Sequence, residues 1–440
     1  LFEADRRSLD PIPFEVVDRG LFPDEGIRQS FPVPEPSRLE DPAEERRVRA
    51  LVMDLLEEGA QEGHTLLPQD WIIRRARNRS LQPPCPLGDN VIEAMMARNT
   101  SDAIDKVATQ SGRPAYQLDR LSVCRAIIRR EVLGRKEGKP HDAENEWRAI
   151  VDQGLNQALP KDQKERELEE RAREEKAAGL QQIFRSRISV LIGSAGTGKT
   201  TLLDMLCHMD EVASRGLLLL APTGKARVQL EQQTGMRGSG FTLAQFLLRH
   251  NRYDGSTGHY YPNRKVPPCA DYRTVIIDEC SMLTEEQLAA LIDSLTNVER
   301  LVLVGDPRQL PPIGSGRPFV DIIKELTPEN VDTTFPRCGP GYVELTVPRR
   351  QQGEGLDDVL LASHFSGRPI DPGADEVWDL VGSGGSNRIR FIEWENPQEL
   401  HDKITAELVA TLKLSGENDE LGFEESLGGR RFKDVPWAFF

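Results

Sequence analysis

An α/β fold with a parallel sheet is predicted for this 440-residue chain by three observations. A glycine-rich loop at 193–200 follows an apolar run and precedes a helical stretch. Two further apolar runs, at 274–277 and 301–304, lead into the acidic pair Asp278–Glu279 and into a polar loop, respectively. From 183 to 340 short apolar runs alternate with helical stretches, the pattern of a sheet covered on both faces.

The elements follow in order. Residues 1–42 carry Pro11, Pro13, Pro23, Pro32, Pro34, Pro36 and Pro42. Proline at this density breaks helices and ladders, so an extended arm is expected, docked through Phe14, Phe22 and Phe31. From 43 to 160 the chain reads as a helical or winged-helix-like accessory domain. Val48, Leu51, Val52, Leu55 and Leu56 recur at helical spacing, and further helices are expected near 69–79, 90–97 and 118–133. Within them Arg74, Arg75, Arg77 and Arg79 form a basic run able to follow a phosphate backbone or simply to face water. Residues 161–182 are densely charged with mixed sign and predict a solvated linker helix held by i,i+4 pairs.

An ATPase-like core is expected over 183–340, with strands at 188–192, 217–221, 274–277 and 301–304. The first strand runs into Gly193, Ser194, Ala195, Gly196, Thr197, Gly198, Lys199 and Thr200, which fit G-x-x-x-x-G-K-[ST] at every fixed position. Strand, loop and helix in that order let backbone N–H groups and a helix N-terminus face phosphates. Lys199 is expected at the β- and γ-phosphates, the Thr200 hydroxyl at Mg²⁺, and Thr201 completes the nucleotide-binding set.

The strand at 274–277 ends in Asp278 and Glu279. Phosphoryl transfer needs one acid to hold Mg²⁺ and another group to orient or deprotonate water, and these two suit those roles in that order. After the strand at 301–304, Gln309 is placed to sense a γ-phosphate or its water. The strand at 217–221 leads into Pro222, Thr223 and Lys225, a strand end able to hold a nucleic-acid phosphate. Residues 250–272, with Tyr253, Tyr260, Tyr261 and several Gly and Pro, read as a loop-rich insertion whose tyrosines either stack on bases or pack on the core. Residues 341–440 read as a further domain, with a helix near 356–365, a strand at 388–394 and a helix near 397–413.

Composition bounds the partners. The six cysteines are scattered without C-x-x-C spacing, so reduced thiols in a cytoplasmic protein are the default. The seven histidines are dispersed and predict no metal cluster. No apolar run approaches the ~20 residues of a membrane span, and no membrane partner is expected. The first residue is Leu1 rather than Met, so a native start elsewhere is expected. A net charge of −15 confines any nucleic-acid footprint to a local groove and leaves room for protein partners bound through the N-terminal region.

Taken together these residues resemble the superfamily 1 helicases, in particular the RecD-like 5′→3′ branch. In the family's order, residues 193–200 are similar to motif I, 222–227 to motif Ia, 242–247 to motif Ib, 278–282 to motif II, 305–311 to motif III and 345–351 to motif IV. The resemblance implies a RecA-like core using ATP and Mg²⁺, with Lys199, Asp278, Glu279 and Gln309 catalytic and Arg350 reaching the γ-phosphate. It implies single-stranded DNA or a forked duplex as partner, touched by Pro222, Thr223, Lys225 and Thr242. Ala244 stands where the family has a histidine, and Lys176 where it has an adenine-reading glutamine. Motifs V and VI are not found, so 341–440 is expected to be an incomplete second RecA-like domain. The expected activity is ATP-dependent translocation with strand separation. The alternative is a nucleic-acid-stimulated switch ATPase in a repair or defence complex, without unwinding.

Overall fold

Seven strands make the central sheet, and their order rather than their sequence sets what meets at its edge. In the computed structural model residues 5, 8 and 10–347 are described, apart from 40, 98–102, 143, 157 and 195, with 361, 364, 376–383 and 389–428 beyond them. The chain divides into two units, Leu1–Gln352 and Gly353–Phe440.

In chain order the strands of the first unit are β1 (Leu67–Pro68), β2 (Ile104–Ala108), β3 (Pro114–Leu118), β4 (Ile188–Gly193), β5 (Leu217–Ala221), β6 (Gly240–Thr242), β7 (Tyr253–Asp254), β8 (His259–Tyr260), β9 (Thr274–Ile277), β10 (Arg300–Gly305), β11 (Cys338–Gly339) and β12 (Tyr342–Leu345). The central sheet runs β11-β12-β4-β10-β9-β5-β6. It is parallel throughout except where β11 pairs antiparallel with β12. Every residue of β4, β9 and β10 is buried, which is why these strands are apolar runs instead of alternating ones. Ile188, Val190 and Ile192 pack with Ile128, Leu291 and Phe319 on one face, while Leu191 packs with Leu180, Ile183, Leu202 and Leu206 on the other. The result is three layers, helix on sheet on helix.

The accessory region has its own core, built on Val48, Leu51, Leu55, Ile72, Ile92 and Tyr116. Its helices Glu45–Gln61, Gln69–Asn78 and Asp89–Ala97 pack with a three-stranded antiparallel sheet ordered β1-β3-β2. The basic run is largely satisfied within the chain: Arg74 pairs Asp70, Arg75 pairs Glu62, and Arg79 bonds Glu15, Asp54 and Glu58.

Several expectations change. The proline-rich arm contains helices Phe14–Leu21 and Glu25–Ser30, because Pro13 caps the first from outside and Pro23 lies beyond its end. Phe14 is buried and Phe22 lies against Arg47, but Phe31 is 77% exposed and anchors nothing. The charged stretch belongs to one helix, Gln163–Arg185, whose second half is no solvated linker: Glu175, Lys176, Leu180 and Ile183 are all fully buried against the sheet. Residues 342–345, placed by sequence in a second lobe, are a strand of the first unit's sheet, since Tyr342 pairs with Val190 and Leu345 with Gly193. The insertion holds a hairpin in which Tyr253 and Tyr260 stack with centroids 4.5 Å apart and pack against the core, leaving Tyr261 39% exposed.

In the second unit the described residues form helices Glu376–Gly382, Pro397–Leu412 and Glu420–Gly428. Most of the helix expected near 356–365 lies outside the described residues. Over 389–394 only Arg390 makes a bridge, so no strand forms there.

Candidate functional site

Parallel neighbours present their C-terminal ends on one edge. Because β10 lies between β4 and β9, the 193–198 loop, the Gly305–Asp306 corner and the Asp278–Glu279 pair stand side by side there. Farther along, Ala221 pairs with Thr242, so Pro222, Thr223 and Thr242 share the next stretch of the same edge.

The loop is shaped by what it lacks. A Cβ on Gly193 would stand 2.7 Å from Thr197 Oγ1 and 2.8 Å from the Leu345 carbonyl, so only glycine lets the loop turn against β12. Gly198 holds φ at 92°, a left-handed value that opens the helix Lys199–Cys207. Thr197 Oγ1 donates to the Ser194 carbonyl at 2.9 Å. Lys199 Nζ donates to the carbonyls of Gly193 at 2.6 Å and Ser194 at 3.3 Å. No side chain caps the helix, and half-buried Thr200 and Thr201 stand in its first turn, an end whose N–H groups suit an anion.

Around Lys199 the charge is unbalanced. Burial pulls its pKa down, and Asp306, Asp278 and Glu279, in that order, pull it up. Burial raises Asp278, against the Glu279 N–H that its Oδ1 accepts at 2.9 Å and the nearby Lys199. Glu279 is raised by burial and then by Asp278. It also sits at φ 53°, an uncommon value for a non-glycine residue and the mark of a constrained functional corner. Asp278 and Glu279 are half-buried and Asp306 is buried beside Lys199. Among the described residues no three acidic, histidine or cysteine side chains converge on a metal position, so Mg²⁺ would take at most one or two protein oxygens here, such as Asp278 and the Thr200 hydroxyl, and the rest from phosphate and water. A divalent cation there would return both raised carboxyls to the ionised form.

The remaining residues are placed as follows. Gln309 is exposed, its N–H bonded to the Asp306 carbonyl at 3.1 Å, and it lines a small cleft with Ser281, Arg317 and Phe319. Thr223 Oγ1 accepts the Ala226 N–H and caps the helix Gly224–Gln233. Thr242 makes a reciprocal capping box with Gln245. Lys225 is exposed and Pro222 half-buried. Ala195 and Arg350 lie outside the described residues.

The roles of three residues escaped the sequence reading. Asp306 is the acid that acts most strongly on Lys199, and its signal was present: a Gly-Asp pair directly after an apolar strand. Glu175 accepts the Thr346 N–H at 2.7 Å and its hydroxyl at 2.6 Å, fastening the end of β12. Lys176 reaches the Thr197 carbonyl from beneath the loop. Neither of the last two carries a local signal within so charged a helix.

A phosphate loop facing carboxylates across an intervening strand defines a RecA-like P-loop NTPase segment. Residues 171–352 match the AAA domain family. ATP-dependent RecD2 DNA helicase of Deinococcus radiodurans is 34% identical over 153 residues, 33% of this chain and 19% of that protein. RecBCD enzyme subunit RecD of Mycolicibacterium smegmatis is 28% identical over 248 residues, covering 51% and 40% respectively. A solved structure of two coordinating Pif1 helicases at forked double-stranded DNA superposes on 54% of this chain and 57% of its own, with 22% identity and a TM-score of 0.33. The chain spans less than half the length of either RecD relative. Over residues 171–352 the chain is thus similar to the AAA domain family, and across this part of its length to RecD helicases.

Proposed function

We propose that the chain is the ATP-driven motor part of a DNA helicase, moving 5′→3′ along single-stranded DNA and parting a forked duplex. The observation that carries this is the set of three acids, Asp306, Asp278 and Glu279, acting on Lys199 beside an uncapped helix N-terminus. Such a site favours a phosphate chain that arrives with its own cation. Mg²⁺ held by Asp278 and Thr200 would supply charge neutralisation to the phosphate oxygens.

The chain's own groups do the rest. Lys199 exchanges its two loop carbonyls for phosphate oxygens. Asp278 and Thr200 hold the cation. Glu279, ionised when the cation is bound, accepts the proton of the attacking water. Gln309 orients that water, and Arg350 completes the charge stabilisation by family resemblance. At the far edge, Thr223 and Thr242 accept cap N–H groups yet keep their hydroxyl protons, which remain able to bond DNA phosphates beside Pro222 and Lys225. Among the described residues no helix is long and apolar enough to cross a membrane, and a cytoplasmic setting belongs to this reading.

The test is steady-state ATP hydrolysis by the 440-residue chain, with and without single-stranded DNA, beside Lys199→Ala. Turnover that rises with DNA and disappears in the variant supports a motor. Turnover indifferent to DNA sinks the translocase and leaves a switch ATPase worked by a protein partner, the reading that the net charge of −15 favours.

A further inference from the structure

Beneath the phosphate loop lies a second lysine. Lys176, on the helix Gln163–Arg185, has no exposed surface. Its Nζ donates to the Thr197 carbonyl at 3.3 Å. A Cβ on Gly198 would come within 2.9 Å of Lys176 Cε, so the loop rests directly on the lysine stem. Burying an ammonium costs several kcal/mol unless its bonds are well made.

The peptide plane shows what the contact does. In a trans peptide the carbonyl of one residue and the N–H of the next point in opposite directions. A donor that holds the Thr197 carbonyl inward therefore holds the Gly198 N–H outward, toward the side where phosphate binds. Two other loop carbonyls, Gly193 and Ser194, are taken by Lys199. When Lys199 turns to a ligand those two are released, while the Thr197 carbonyl stays fixed from below. The adjacent Glu175 fastens the end of β12 through Thr346, so the same helix turn braces both sides of the loop's foundation.

We propose that Lys176 is a positioning residue for the phosphate loop: it sets the peptide between Thr197 and Gly198 so that its N–H meets the β-phosphate, and it adds a fixed positive charge behind that N–H. The inference rests on the nucleotide reading above. Its ligand is the diphosphate group, whatever the base.

The test is binding of MgADP and of AMP to the whole chain and to Lys176→Met, which keeps the stem and removes the donor. MgADP affinity is expected to fall about ten-fold, the scale of a charge-assisted hydrogen bond, while AMP changes by less than about two-fold. A general loosening of the fold would weaken both ligands alike, and that result overturns the proposal, as does unchanged MgADP affinity. Should Lys176→Met lose cooperative melting, Lys176→Gln serves instead: it is polar but one bond too short to reach Thr197, and the same split between MgADP and AMP is expected. Lys199→Ala separates the two readings. No MgADP binding by the unaltered chain, or undiminished binding in Lys199→Ala, sinks the nucleotide site itself. Loss in Lys199→Ala with none in Lys176→Met sinks only the positioning role.

Discussion

Single carboxyls in this chain are held away from their ordinary state by burial, and the clearest case lies beside the site. Glu285 is 8% exposed, its Oε2 has no hydrogen-bond partner among the described residues, and Gly316 leaves room for it only by lacking a Cβ. Burial first, and Asp321 after it, push its pKa from 4.5 to about 7, with Arg125 opposing. A carboxyl raised on folding stabilises fully below its unfolded pKa, and that stability is lost as pH rises through the folded one. The window is therefore pH 4.5 to about 7. Glu285→Gln is expected to remove that loss and to gain about 2–3 kcal/mol over the unaltered chain at pH 8, read from denaturant melts across pH. Parallel stability curves would mean that Glu285 titrates normally.

Among the elements, the hairpin of β7 and β8 shows how a short piece is held. Arg252 is 1% exposed and donates to the carbonyls of His250, Asn263, Val266 and Asp293 and to the Asp293 carboxylate. Removing it takes one donor from that carboxylate, which keeps the Asn263 N–H at 2.7 Å, and one from each of four carbonyls. Arg252→Met is expected to cost about 3–5 kcal/mol in chemical denaturation. A loss under about 1 kcal/mol would show that water replaces the guanidinium without penalty. The four central strands were legible in the sequence because burial on both faces writes a plain apolar run. β7 and β8, at two residues each, write nothing that differs from a loop. β12 was assigned to the wrong unit because its membership depends on pairing with β4, some 150 positions earlier, and no local pattern records that. The helix Gln163–Arg185 was legible as a helix, but sequence shows only that Glu175 and Lys176 are charged, not that their turn faces inward. Of the candidate site, the motif residues were legible and their supports were not.

At the scale of the whole molecule, the chain divides after residue 352, and the described residues of the first unit pack around their own cores. A chain ending there is expected to melt cooperatively and to bind MgADP within about three-fold of the 440-residue chain, by calorimetry or fluorescence. A loss of ten-fold or more would mean that residues beyond 352 complete the nucleotide site. The placement of β10 between β4 and β9 has one more consequence. Neighbouring strands keep a spacing of about 4.8 Å, so the phosphate loop and the Asp278–Glu279 pair are held about 10 Å apart by two rows of backbone hydrogen bonds. The sheet is a ruler. Substitution can change the chemistry lining that gap, but its width is metered by main chain alone and passes unaltered through every change of side chain.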